Sequence, residues 1–66
     1  MDEKYSLVGV DGNAFCVMGY VANAMKKEGK SEEEIDEYYE HAKAKDYNHL
    51  LRVSILKNDE LNELYR

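Results

Sequence analysis

The sequence predicts an all-α fold: a small three-helix bundle, with room for a short fourth helix, preceded by an extended N-terminal arm. Three observations carry this. Apolar residues recur at helical spacing in three successive segments. Each segment follows a residue suited to cap a helix: Asn13 or Asp11, then Ser31, then Asp46. Proline, which breaks helix interiors, is absent. The 66 residues make a single domain, 1–66. A domain of this size buries only about 60% of the surface its unfolded chain exposes. A deep pocket is therefore hard to build, and a second copy is a natural source of extra core.

Residues 1–12 form the arm and a turn, with residues 1 to 4 expected to fray. Tyr5 to Val10 (YSLVGV) is rich in strand formers, but a lone strand is unstable. The segment should lie extended across the helices or pair with a second copy. Gly12 lets the chain turn, and Val10 is placed to pack on the first helical turn. Helix 1 covers 13–28. Ala14, Val17, Met18, Val21, Ala22 and Met25 form its stripe, flanked by Phe15, with Cys16, Asn23 and Lys27 opposite. Gly29 suits the left-handed stop, and Lys26 and Lys27 complement the negative helix end.

Helix 2 covers 31–45. Ser31-Glu32-Glu33-Glu34 has the form of a capping box, with Glu34 placed to reach back to Ser31. Its apolar stripe is thin: Ile35, Tyr38, Tyr39 and Ala42. Helix 3 covers 46–57, with Tyr47, Leu50, Leu51, Ser54 and Ile55 in line. The pattern can continue through Leu61, Leu64 and Tyr65. Asn58-Asp59 could equally stop it and cap a fourth helix. Val53 and Leu56 lie off the stripe, and with Leu7 they are the residues to test for self-association.

The Asp11-Gly12-Asn13 run invites a ligand reading. An EF-hand needs oxygen ligands at loop positions one, three, five and twelve and glycine at six. Started at Asp11, position five is Phe15 and position twelve is Ala22; with Gly12 at six, position one is Leu7. Both registers fail. A phosphate loop needs more glycines and a Lys-Ser/Thr pair. The run is better read as the hinge that starts helix 1.

The same stretch carries a likeness. The pattern L-V-G-x-D-G-N-A-F-x-x-M-G-x-V from Leu7, with D-Y-N-H-L-L from Asp46, resembles a set of small bacterial and phage-borne proteins with no assigned activity. The match runs from Ser6 to Ser54. DGNAF is its most specific part. The likeness implies a free-standing small cytoplasmic protein of phage or mobile-element type, and no catalytic residue.

Other residues point away from catalysis and metals. His41 and His49 are eight apart and on different helices, so neither makes the i, i+4 pair of a helical metal site. They are expected as surface or interhelical histidines, with His49 bonding a neighbour near the start of helix 3. Cys16 is the only cysteine, so a disulfide within the chain and a Cys-based zinc cage are both excluded. It lies on the polar side of helix 1 with no oxyanion hole in view, and is read as a small buried or half-buried thiol. No enzyme, cofactor or metal is expected. Nor is a membrane span, since no apolar run approaches the required length. The acidic start, MDEKYS, has no leader pattern and suggests a cytoplasmic protein.

Charge is the feature that bears on function. Fourteen acids against nine bases give a net charge of −5, which disfavours binding to phosphate backbones. Glu32, Glu33, Glu34, Asp36, Glu37 and Glu40 place six carboxylates in nine residues. Glu33, Asp36, Glu37 and Glu40 share one helix face. That face is either a solvated surface or a docking surface for a basic partner. Six tyrosines serve the core or an interface, and Tyr20, on the flank of helix 1, is the interface candidate. The favoured expectation is a non-enzymatic interaction protein, one form being an inhibitor of a basic, nucleic-acid-handling host protein. The alternatives are a small helix-turn-helix-like DNA-binding regulator, with Lys43, Lys45 and Arg52 near helix 3, and a self-assembling structural protein.

Overall fold

A computed structural model gives the fold, and it describes residues 4–64. Three helices follow one another: α1 (Ala14–Lys27), α2 (Glu32–Lys43) and α3 (Tyr47–Glu63). The described residues contain no strand. α3 packs against both α1 and α2. Residues 1–3 and Tyr65 lie outside the described residues, so most of the expected frayed start and the last position of the helix 3 stripe are not placed; Lys4, expected to fray, is held 3.7 Å from Glu28.

Each helix starts where a side chain can satisfy a free backbone donor. The Asn13 side-chain oxygen accepts from Phe15 N–H at 2.8 Å, and Asp11 in turn accepts from Asn13 N–H at 2.8 Å. Ser31 Oγ accepts from Glu34 N–H at 3.2 Å, and Asp46 accepts from His49 N–H at 2.9 Å. Each cap is worth about 1 kcal/mol. The Ser31 hydroxyl is the half of the capping box that forms among the described residues. α1 ends on two bonds, Gly29 N–H to Lys26 C=O and Lys30 N–H to Met25 C=O, both 3.0 Å. Gly29 has φ +81°, which makes this a Schellman stop that only glycine adopts without strain.

The core is the apolar stripe of α1 set against those of α2 and α3. Val17, Met18, Val21, Ala22 and Met25 are buried, together with Ile35, Tyr38, Ala42, Leu50, Val53 and Leu61. α3 runs unbroken through Asn58-Asp59, so there is no fourth helix among the described residues. Its buried arc differs from the expected stripe. Val53 is buried and so is not free for self-association, while Ile55 is 50% exposed. The cause is that α3 has neighbours on two sides, which turns the buried arc toward α2 and takes in Val53. Of the other two self-association candidates, Leu56 is exposed but Leu7 packs on the core. Phe15, expected beside the stripe, is 79% exposed.

The arm is clamped, and it is not a strand. Tyr5 is buried; its N–H donates to Asn62 Oδ1, and Asn62 Nδ2 donates back to its carbonyl, both at 2.8 Å. The Tyr5 hydroxyl donates to Glu28 Oε2. The chain then reverses at Leu7–Val10, closed by Val10 N–H to Leu7 C=O at 3.0 Å with Gly9 at φ +84°. Gly9 is the arm glycine that takes a positive φ; the chain bends again at Gly12, as expected, without one. Val10 was expected to pack on helix 1, but Leu7 is the arm residue that packs on the core beside Tyr5. At the far end the Tyr47 hydroxyl donates to Gly12 C=O. The arm thus runs along the α1–α3 groove, from the end of α3 toward its start.

Candidate functional site

α2 is amphipathic because Ile35, Tyr38 and Ala42 recur on one side and bury there. At 3.6 residues per turn, the opposite side is Glu33, Asp36, Glu37 and Glu40. All four are exposed. Glu33 and Glu37 are four apart, as are Asp36 and Glu40, so like charges stack along the face and weaken the helix by a few tenths of a kcal/mol per pair. Glu32, Glu33 and Glu34 in the first turn recover some of this at the positive end of the helix dipole.

The charge spreads into the grooves on either side of α2. Between α2 and α3, Glu34, Glu37 and Glu40 stand with Lys30 and Lys57 around an open groove. On the α1 side, Glu32 and Asp36 line a second groove with Lys26 and Tyr39. Lys57 is engaged elsewhere, by Glu60 at 2.9 Å. Among the described residues, none of the six α2 carboxylates is in an ion pair.

The structure does not bring Tyr20 to these acids. Its ring is half-buried against the core, and its hydroxyl accepts from Ser6 N–H at 3.1 Å. Tyr20 therefore pins the arm. Tyr38 and Ser54 join α2 to α3 inside the core, hydroxyl to hydroxyl at 2.5 Å. Burial disfavours the tyrosinate and pushes the Tyr38 pKa above the usual tyrosine value, against the lowering effect of the Ser54 bond.

The two histidines do meet. Their ring centres are 5.3 Å apart, and His49 Nε2 lies 2.9 Å from the His41 carbonyl, to which it donates. That carbonyl is in the last turn of α2, so His49 caps one helix from the start of the next. Among the described residues no group of three or more His, Cys, Asp and Glu could hold a metal. Cys16 is exposed and not buried or half-buried as expected, because it falls on the solvent side of α1. The Asp11 and Asn13 oxygens are occupied by backbone donors, which suits a hinge. Lys43, Lys45 and Arg52 are exposed.

The residues missed from sequence are Asn58 and Asn62. Both are 4% exposed and lie one turn apart on α3. The available signal was the i, i+4 repeat of one polar residue type beside the apolar stripe. No helix among the described residues is long and apolar enough to cross a membrane. Comparison of the chain with protein-family models, with curated proteins and with solved structures gives no match.

Proposed function

We propose that the chain is a non-enzymatic interaction protein that binds a basic protein through the outward face of α2. The observation that carries this is the set of six carboxylates on α2, none of them ion-paired among the described residues. Such a surface raises association rates with a cationic partner and makes binding salt-sensitive. One form of this reading is an inhibitor of a basic, nucleic-acid-handling host protein, which suits the small size and net charge of −5. Direct DNA binding is disfavoured, because α2, the helix after the short Gly29 turn, would present carboxylates to phosphates.

Affinity capture from a host lysate at low and high salt tests this, using the wild type and Glu33→Lys with Glu37→Lys. A basic protein should be retained at low salt and lost both at high salt and with the double variant. Equal retention of the same proteins by the folded double variant would refute the proposal.

A further inference from the structure

We infer that the groove between α1 and α3 is built to hold an extended chain, and that its full occupant is the arm of a second copy of this protein. Asn62 holds Tyr5 through both backbone groups, the pairing a neighbouring strand would make. Asn58 lies one turn earlier on the same side of α3. It is 4% exposed, and neither its Oδ1 nor its Nδ2 has a hydrogen-bond partner. A buried amide left this way is costly, so it points to a missing contact.

The spacing identifies that contact. Four helical residues advance about 6.0 Å, and two residues of extended chain advance about 6.7 Å. Asn62 and Asn58 are therefore two rungs matched to alternate residues of one strand. From Tyr5 the arm runs toward the start of α3, where Gly12 meets Tyr47. The second rung thus falls to Leu7. In the closed chain the backbone reverses from Leu7 through the Gly9 turn, closed by Val10 N–H to the Leu7 carbonyl, and Asn58 has no partner.

The turn exists because the same arm must return to Asn13 to start α1. Opened and passed to a neighbour, the arm can straighten. An identical arm also remakes the Tyr5–Glu28 bond, which needs a tyrosine hydroxyl at that position, along with the backbone bond from Ser6 N–H to Tyr20. Exchange of an identical element is a low-cost route to a dimer. This inference is independent of the α2 surface.

Sedimentation equilibrium of the full chain and its variants tests the exchange. At Gly9 an added Cβ meets nothing within 4 Å, so Gly9→Ala acts on the positive φ alone. It should tighten self-association at least about tenfold, given the cost of left-handed backbone. Val10→Pro, which removes the N–H closing the turn, should do the same. Adding Asn58→Leu should reverse the gain. In a Cys16→Ser background, chains carrying Ser6→Cys mixed with chains carrying Tyr20→Cys should be joined by a short bismaleimide. Folded turn variants that stay monomeric, a dimer indifferent to Asn58→Leu, or a dimer without the inter-chain crosslink would overturn the inference.

Discussion

The outward face of α2 and the arm side of α3 are both polar, but they use polarity in opposite ways. On α3, Asn62 is buried and spends both ends of its amide on the Tyr5 backbone. On α2, the carboxylates stand in solvent, unpaired among the described residues. Removing a partner from a buried bond exposes the desolvation cost of what remains. Changing a solvated carboxylate alters long-range charge and little else. The difference teaches that one region fastens the fold, while the other can be changed without touching it.

The largest expected effect is therefore on the arm side. Asn62→Ala should cost about 2–4 kcal/mol, because it breaks two buried bonds and orphans both backbone groups of Tyr5. That is much of the roughly 3–10 kcal/mol available to a domain of this size. Urea unfolding would measure it, and a loss below about 0.5 kcal/mol would mean the arm contributes little.

Tyr38→Phe comes next, at about 1 kcal/mol, since Ser54 loses its partner in the core. It also changes the pH profile. Tyr38 holds its proton more tightly in the fold than in the unfolded chain, where it ionises near 10.0. The folded state then binds more protons above that pH, so stability is full below about pH 10 and falls as pH rises beyond it. Thermal melts from neutral to alkaline pH should show a smaller alkaline loss for Tyr38→Phe. Identical profiles would mean that Tyr38 titrates alike in both states.

Asn58→Leu should stabilise the monomer by about 1 kcal/mol, because an unsatisfied amide is replaced by an apolar group of similar size. Destabilisation by that much in urea would show that the amide is satisfied in solution. The smallest effect belongs to α2. Glu33→Lys with Glu37→Lys should leave stability within about 0.5 kcal/mol. A larger loss would remove the contrast between the two regions.

This contrast also marks what was legible in sequence. Ser31, Asp46, Asn13 and Gly29 announced the helix ends, since caps act through neighbouring backbone and need no tertiary knowledge. The stripes of α1 and α2 were equally plain. α3 was legible only in part. Periodicity counts apolar residues, so it favoured Ile55 and passed over Asn58 and Asn62, the second of which is bonded to an arm more than fifty residues away in sequence. The turn at Gly9 was hidden because YSLVGV has strand-forming residues but no strand to pair with. The α2 face could be read from the sequence because a helix facing solvent obeys its own period. Tyr20 could not, because its role is set by Ser6 across the groove.

The most direct measurement is the salt dependence of affinity for the basic protein captured at low salt, compared between the wild type and the folded Glu33→Lys, Glu37→Lys variant. Log affinity should fall steeply with log salt for the wild type and nearly flatten for the variant, with weaker binding at low salt. Equal slopes and equal affinities would contradict α2 as the binding surface.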